Sequence, residues 1–571
     1  MHRPRVRSMP PSTDLSAEFT IAQQRVRLLQ QQPQAFPHLV DPMEPVECIE
    51  THISWVLLAG DFVYKFKKPL RLDFLDFSTQ ALRHAACEEE LRINRRTAPG
   101  LYLGVVGLVG DAEKDASATL RVVPWQDAPP GAEPAVWMRR FSQEALLATA
   151  LDAHRVSPAQ IDQLARHVAQ FHAAAAVASG VDTWGTAVAV RAPVDDCLAA
   201  LLAPVAGALP GHSPLLAQVA DWCRQQGQAL AAAFEARRAA GRVRECHGDL
   251  HLANIALIDG EAQLFDALEF NPALRWIDCV ADIAFVVMDL AAHGRADLAW
   301  RFLNRWLEHA GDYAGLVVLR YYGCYRALVR ARVAALRLNP TCGDGSAQAV
   351  QALEEYLELA AGFAGQRPAL WPVARPAALW LAHGFSGAGK STHALTLACQ
   401  RGLVRVRADV ERKRLFGLAA QDSSAAVPGG IYTREASQRT HDRLAQLARA
   451  ALGAGHTVLV DATFLNPALR ARFMALAGDM QVPCRILSFE APLEVLRARV
   501  RARQQAGGDA SEAGPDVLEA QWAAARPLSA QEEALTVHVD TTRPVDWDVL
   551  LPREEVTDPF GQASDAATPS S

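Results

Sequence analysis

Between residues 53 and 69 apolar and polar positions alternate: Ile53-Ser-Trp-Val-Leu-Leu-Ala59, then Gly60-Asp61, then Phe62-Val-Tyr-Lys-Phe-Lys-Lys68 and Pro69. Alternation on both sides of a Gly-Asp pair predicts a β-hairpin whose second strand ends at the proline. A period of two sets Val63, Lys65 and Lys67 on one face and Tyr64 and Phe66 on the other. Ser78–Arg96 is instead rich in Ala, Leu, Glu and Arg and stops at Pro99-Gly100, which predicts a helix. Strand patterns return at Tyr102–Val109, Ala118–Val123 and Ala135–Phe141. Past Phe141, Ala/Leu-rich helical stretches fill 143–177, 195–208 and 214–240 and resume to about residue 362. Strands first and helices afterwards predict a small, mostly β lobe up to about residue 141 and a larger, mostly α lobe behind it.

A second pattern begins at Ala377. Apolar strands at Ala378–His383, Leu403–Ala408, Thr457–Val460, Arg485–Phe489 and Leu535–Val539 alternate with helices, the first of them Ser391–Arg401. That βαβ series predicts a parallel sheet with helices on both faces. The chain therefore reads as two domains, 19–362 (α+β, two-lobed) and 377–556 (α/β), joined by a linker at 363–376. Residues 1–18 and 557–571 read as disordered tails.

Composition adds little to this division. Of 571 residues, 50% are hydrophobic and 21% charged, enough apolar material for large cores. A net charge of −6 supplies no global field for nucleic acid, although a local basic patch remains open. The 10 cysteines include no C-x-x-C pair, which argues against a zinc site and a disulfide framework and for free thiols in a reducing compartment. The Arg/Pro-rich start lacks the apolar core of a secretory signal, and the apolar run Ile283–Ala292 is short and broken by Asp289. A cytoplasmic protein with no membrane partner is expected. Nothing in these patterns gives an oligomeric state.

Two stretches carry chemistry. In the first, His247-Gly-Asp-Leu-His-Leu-Ala-Asn254 places a carboxylate and a carboxamide behind a His-Gly turn, and Leu264-Phe-Asp266 adds a second carboxylate after a short apolar run. One acid to accept a hydroxyl proton, with an amide and an acid to hold magnesium, is the equipment of phosphoryl transfer. The order strand-Lys, helical Glu, His-x-Asp-x-x-x-x-Asn, apolar-Asp resembles the aminoglycoside phosphotransferases, small-molecule kinases with the bilobal protein-kinase fold. The resemblance covers roughly residues 40–360. It implies Asp249 as catalytic base, Asn254 and Asp266 as magnesium ligands, Lys65 on the α/β phosphates with Glu90 as its partner, Asp282 in a structural role and Val136–Phe141 as the hinge. The residues themselves leave open Lys65 or Lys67, and Glu88, Glu89 or Glu90. His251 reads as a hydrogen-bonded loop residue or a substrate contact. No Gly-rich lid is visible, since Gly60-Asp61 is only a tight turn.

In the second, Gly384-Phe-Ser-Gly-Ala-Gly-Lys-Ser391 fits G-x-x-x-x-G-K-[ST] and lies between a strand and a helix. Backbone N–H groups of Gly384, Ser386, Gly387, Ala388, Gly389 and Thr392 would surround phosphate, with Lys390 on the β/γ oxygens and Ser391 on magnesium. Asp409, at the end of the next strand, is placed to take an acceptor proton, Arg412 to clamp an anionic acceptor, and Asp461 to hold magnesium water. Arg499 and Arg503 share a helix face and would reach the phosphates, although Arg497 and Arg501 form an equivalent, solvent-type stripe. This half resembles P-loop kinases of the polynucleotide-kinase, gluconate-kinase and zeta-toxin type. Asp409-x-x-Arg412 is similar to the acceptor motif of the first of these, and nothing resembles the signals of ring-forming motors.

Both halves in this order resemble a bacterial family of fused aminoglycoside-phosphotransferase-like and ATP-binding proteins. The resemblance implies two ATP·Mg²⁺ phosphotransferase sites acting on small-molecule hydroxyls, with a nucleic-acid 5′-hydroxyl open only at the second. Two rivals stand beside it. In one, a single half is catalytic and the other is a nucleotide sensor or binding module; in the other, the protein is an aminoglycoside resistance kinase. The second rival needs an acidic cleft for a polycation, and Asp195-Asp196 is the clearest acidic pair in 143–240.

Overall fold

The computed structural model describes residues 13–39, 41, 43–72, 75–110, 119–338, 347–367, 377–507 and 509–552. The chain forms two compact units, one of Met1–Pro376 with Cys399–Val404 and Ala450–His456, the other of Ala377–Ala398, Arg405–Arg449 and Thr457–Ser571.

The first unit opens with helix α1 (Thr13–Gln31) and strands β1 (Val46–Glu50), β2 (Ser54–Ala59) and β3 (Phe62–Lys67). A two-residue ribbon, β4 (Arg71–Leu72) with β5 (Leu75–Asp76), leads to helix α2 (Gln80–Asn94) and strands β6 (Tyr102–Val109), β7 (Arg121–Pro124) and β8 (Glu133–Arg139). Six of these strands make one antiparallel sheet in the order β1-β2-β3-β8-β6-β7. The hairpin turns at Gly60-Asp61 with Gly60 at φ +54°, a left-handed conformation that glycine adopts without strain. Both sheet faces are covered. Tyr64, Phe66, Trp55 and Leu57 pack with Val26 and Leu29 of α1, while Val63, Val136 and Met138 pack with Cys87 and Leu91 of α2.

Helix α1 corrects the expected N-terminal tail, because residues 13–18 belong to it. Phe19, Ala22, Val26 and Leu29 form a stripe at helical spacing that seals the outer face of the sheet. Residues 1–12 and the expected C-terminal tail lie outside the described residues. The strand expected at Ala118–Val123 is β7, and residues 111–118 lie outside the described residues too.

The larger lobe contains α3 (Leu147–Asp152), α4 (Pro158–Ala174), α5 (Ala187–Ala208), α6 (Ser213–Ala229) and α7 (Ala231–Ala239). Strands β9 (Val243–Glu245), β10 (Ile255–Ile258), β11 (Glu261–Leu264) and β12 (Trp276–Asp278) then precede α8 (Cys279–Ala292), α9 (Ala296–Ala310), α10 (Leu316–Leu336) and α11 (Ala347–Ala364). β9 pairs with β12 and β10 with β11, both antiparallel, so the His247–Asn254 loop is held between two small ribbons. Helix α8 is buried from Cys279 to Ala291, which explains its nearly continuous apolar run. No helix among the described residues is long and apolar enough to cross a membrane. Helix α11 continues to Ala364, past the expected start of the linker, and residues 368–376 lie outside the described residues.

The second unit alternates as expected: β13 (Leu379–His383), α12 (Lys390–Arg401), β14 (Val404–Arg407), α13 (Ala408–Arg414), α14 (Arg434–Gly453), β15 (Val458–Asp461), α15 (Pro467–Asp479) and β16 (Cys484–Glu490). Helices α16 (Leu493–Ala506), α17 (Pro515–Ala524) and α18 (Ala530–Glu533), strand β17 (Thr536–Asp540) and helix α19 (Trp547–Leu550) complete it. The sheet order is β14-β15-β13-β16-β17, with β13 parallel to β15 and β16, and β16 parallel to β17. The chain fills one side of β13 and then the other, so the switch point, where such sheets bind ligands, falls at the carboxyl end of β13.

Candidate active sites

In the first unit the period-two face of β3 meets α2. Lys65 Nζ donates to Glu90 Oε1 at 2.9 Å and to Asp266 Oδ1 at 2.5 Å, and Lys67 Nζ donates to Glu90 Oε2 at 2.7 Å and to Glu269. Lys67 and Glu90 are fully buried, and Asp266 keeps 43% of its side chain exposed. Burial alone would raise the Glu90 pKa, but Lys65 and Lys67 outweigh it and hold the carboxyl below its usual range. Burial works against a charged Lys65 as well, yet Asp266, Glu90 and Glu269 raise its pKa well above that of an ordinary lysine. The structure thus brings Glu90 to both lysines. Glu89 instead pairs with Arg92 at 2.7 Å and with Arg275, and Glu88 with His84 at 3.6 Å.

The catalytic-type loop is fixed by Asp282, whose carboxylate accepts from His247 N at 3.1 Å, Gly248 N at 2.9 Å and His172 Nε2 at 3.0 Å. Gly248 sits at φ +86°, and a Cβ there would meet Leu274 O at 2.7 Å, so the turn requires glycine. Asn254 Nδ2 donates to Asp249 Oδ2 at 3.1 Å and to Asp249 O at 2.9 Å, which orients the carboxylate. His251 Nε2 lies 3.3 Å from Asp249 Oδ2. Burial alone would raise the Asp249 pKa, but His251, His247 and Arg326 overcome it and hold the acid well below the usual carboxylate range. Asp266 takes φ +61°, unusual for a non-glycine residue, with its N–H donated to Tyr102 Oη at 3.0 Å. Asn94 Oδ1 accepts from Ala267 N at 2.8 Å and steadies the same turn. Sequence reasoning passed over Glu269, Tyr102 and Asn94, whose only signals are an acid three residues past Asp266 and polar groups within apolar elements.

In the second unit one cavity of ≈ 590 Å³ is lined by P-loop residues Ser386, Gly387 and Gly389 to Thr392, and also by Asp409, Arg412, Asp461, Arg499 and Arg503. Gly384 and Ala388 do not line it, and their N–H groups, expected on phosphate, donate instead to Thr463 O at 3.0 Å and Phe385 O at 3.2 Å. Gly384 takes φ +139° and Gly387 φ +84°, and a Cβ would stand 2.5 Å from Phe489 O at the first and 2.7 Å from Leu496 O at the second. Lys390 Nζ donates only to main-chain carbonyls, Gly384 O at 2.9 Å and Phe385 O at 2.7 Å. Burial lowers its pKa to about 8, against the pull of Asp461 and Asp409. Arg499 rests on Thr541 Oγ1 at 2.9 Å and Thr541 O at 2.7 Å, and Arg503 on Ala513 O at 2.6 Å. Arg497 turns outward to Glu519 at 2.6 Å, which separates the two arginine stripes.

Asp409 corrects one expectation: it lies in the first turn of α13 rather than at the tip of a strand, three residues ahead of Arg412. Arg412 donates to Ile431 O at 3.0 Å and Ser437 Oγ at 3.3 Å, with its guanidinium 5.0 Å from the Tyr432 ring centre. Gln521, which sequence reasoning passed over, accepts from Ser386 N at 2.9 Å through Oε1.

The donors suit the expected cation at both places. Asp461 is buried, its nearest cation is Arg405 at 3.6 Å, and its Oδ2 has no hydrogen-bond partner. A buried carboxylate oxygen left open beside a P-loop fits the chemistry of a magnesium ligand, direct or through water. Around Asp266 three carboxylates face two lysines, and the half-exposed acid is the one left over.

A family model described as an AAA domain (AAA_33) matches residues 379–528, from β13 past α17. The uncharacterized proteins Rv2004c of Mycobacterium tuberculosis and Mb2027c of Mycobacterium bovis are each 31% identical over 470 residues, covering 82% of this chain and 88% of theirs. The chain belongs to their family. In this chain a kinase-like unit and a P-loop unit are fused in one polypeptide, as the motifs indicated.

Solved structures similar to parts of this family member include a choline kinase from Cryptosporidium parvum, at 10% identity and TM-score 0.35 over 59% of this chain and 94% of that one. A choline/ethanolamine kinase family protein from Mesorhizobium loti matches at 13% and 0.31, over 59% and 98%. A gluconokinase from Sinorhizobium meliloti matches at 18% and 0.22, over 30% and 85%. The bilobal kinase-like fold of the first unit and the P-loop fold of the second rest on the strand orders, the Lys65–Glu90 pair and the glycine turn described above.

Proposed function

We propose that this protein is an ATP- and Mg²⁺-dependent phosphotransferase with two nucleotide sites, each transferring the γ-phosphate to a hydroxyl. One observation supports the reading: each unit brings together, from its own residues, a lysine and two carboxylates, Lys65 with Asp266 beside the Asp249–Asn254 pair in the first and Lys390, Asp409 and Asp461 round one cavity in the second.

In the first site Lys65, oriented by Glu90, engages the phosphates, and Asp266 and Asn254 hold the magnesium, which when bound neutralises charge between phosphate oxygens. Asp249 Oδ2, held by Asn254 Nδ2, receives the acceptor proton. A carboxylate held so acidic is ionised at neutral pH and takes the proton only as the hydroxyl oxygen gains its bond to phosphorus. In the second site the loop N–H groups, Lys390, Arg499 and Arg503 surround the phosphates, with Ser391 and Asp461 around the cation. Asp409 receives the proton while Arg412 holds an anionic acceptor, either a small metabolite or a nucleic-acid 5′ end. Catalysis in both is positioning and charge neutralisation.

Incubation of the full chain with γ-labelled ATP and a metabolite extract tests this. Two sets of labelled products are expected, one lost in Asp249→Asn and the other in Asp409→Asn. If a single variant abolishes all labelling, the two-site reading fails and one half acts as a regulator of the other.

A further inference from the structure

The larger lobe of the first unit contains a buried cluster that phosphoryl transfer does not use. His172 on α4, Cys246 just after β9 and Cys279 at the start of α8 are all buried, and their ligand-type atoms lie within 4.8 Å of one another. We propose that His172, Cys246 and Cys279 form a binding site for a thiophilic d¹⁰ cation, Zn²⁺ or Cu⁺.

Four observations converge on it. Among the described residues His172 Nδ1 has no hydrogen-bond partner although the residue is only 4% exposed, so a buried ring nitrogen is left open. Its other nitrogen, Nε2, is bonded to the Asp282 carboxylate at 3.0 Å, the arrangement that fixes the tautomer and orientation of a metal-ligating imidazole. The two thiols lie within 4.8 Å of each other, with Cys246 Sγ donating to Ile277 O at 3.5 Å, and Cys279 heads α8, where the helix N-terminus favours a thiolate. Finally, the β9–β12 pairing brings Cys246 and Cys279 together, and Arg244 of β9 donates to His172 O at 2.8 Å, which ties α4 to the same ribbon.

Two sulfurs and one nitrogen without a carboxylate oxygen exclude hard cations such as Mg²⁺ and select soft ones. Binding is balanced: the cation forms two bonds to sulfur and one to nitrogen, and the two thiol protons leave to solvent. Bond lengths of about 2.0–2.3 Å require the cluster to close by about 1 Å. The missing C-x-x-C pair argued against zinc because only adjacent ligands are visible along a chain. These three meet through the fold. Asp282 also holds His247 N and Gly248 N, so a cation that fixes the His172 ring steadies the loop bearing Asp249.

The test expresses the full chain in medium supplemented with Co²⁺ and keeps it reduced. A thiolate-to-cobalt charge-transfer band is expected, bleached by added Zn²⁺ and by Cu⁺, and the more effective of the two identifies the preferred ion. Oxygen ligands at the Mg²⁺ sites give no such band. Cys246→Ser and Cys279→Ser lose it, His172→Gln weakens cobalt binding at least tenfold, and Cys48→Ser, outside the cluster, keeps it. X-ray absorption of the cobalt-loaded wild type should find sulfur and nitrogen neighbours, a readout independent of how well the variants fold. Absence of the band, its persistence in Cys246→Ser, a shell of oxygens alone, or a Cys246–Cys279 disulfide in the peptide map overturns the proposal.

Discussion

The two candidate sites manage charge in opposite ways. In the first, two lysines face three carboxylates, Glu90, Glu269 and Asp266, so the protein neutralises its own cations and keeps one negative charge over. In the second, Lys390 and Arg503 rest on main-chain carbonyls, and Arg499 on a carbonyl and the Thr541 hydroxyl. Those cations lack the carboxylates that hold Lys65 and Lys67. The first site therefore keeps spare negative charge, and the second presents cations held by neutral groups. A kinase-like cleft positions phosphate through an ion-pair lattice, whereas a P-loop does so through backbone N–H groups, with its lysine held in reserve.

The largest expected effect tests whether the sites are separate. Asp249→Asn keeps the Asn254 contact but removes the base, and turnover at the first site should fall by about 10²–10⁴-fold with second-site products unchanged. Parallel loss of both products in a labelled-ATP assay would break the contrast. Lys390→Ala should weaken ATP binding at the second site by about 10²–10³-fold in a calorimetric titration, with the first site intact.

Stability sharpens the same comparison. Glu90→Gln leaves Lys65 with Asp266 and Lys67 with Glu269 but removes the buried carboxylate they share, and should cost about 2–3 kcal/mol in urea unfolding of the first unit. Arg499→Ala removes hydrogen bonds to neutral groups and should cost about 1 kcal/mol in the second. Equal losses would mean that the lattice is not what distinguishes the sites.

The smallest effect is a pH slope. With Lys390 lowered to about 8, the free second unit loses that charge above pH 8, and binding ATP must restore the proton. Affinity there should fall by about tenfold per pH unit above 8, seen as proton uptake in calorimetry across buffers of different ionisation heat. The unliganded fold shows the opposite trend. Between about 8 and the ordinary 10.5 the unfolded chain binds the extra proton, so this lysine's contribution makes stability rise with pH. Lys65, held well above the ordinary lysine range, should give the first site no such slope.

Much of this was legible along the chain because it depends on neighbours in sequence. The hairpin register follows from period two, and with it the shared face of Lys65 and Lys67. The P-loop is one contiguous string whose glycines occupy left-handed φ values in the structure. His247–Asn254 likewise carries its amide–carboxylate bond within five residues. Helix α1 was missed because its stripe, Phe19 to Leu29, borders an Arg/Pro-rich start that reads as a tail.

What only the tertiary structure decided involves burial and long-range meeting. Glu88, Glu89 and Glu90 are adjacent and chemically alike, and only the packing of α2 against the sheet turns Glu90 inward to both lysines while Glu89 goes to Arg92 and Arg275. Arg499 and Arg497 are two residues apart on one helix, and only the fold sends one to the cavity and the other to Glu519. Glu269 with Lys67, and His172 with Cys246 and Cys279, leave no local mark at all. Sequence alone determines which groups lie within a few residues of each other and which face they share, because backbone geometry fixes those distances. Which charge is desolvated, and against what, is decided by packing, since desolvation depends on every element that closes over the group.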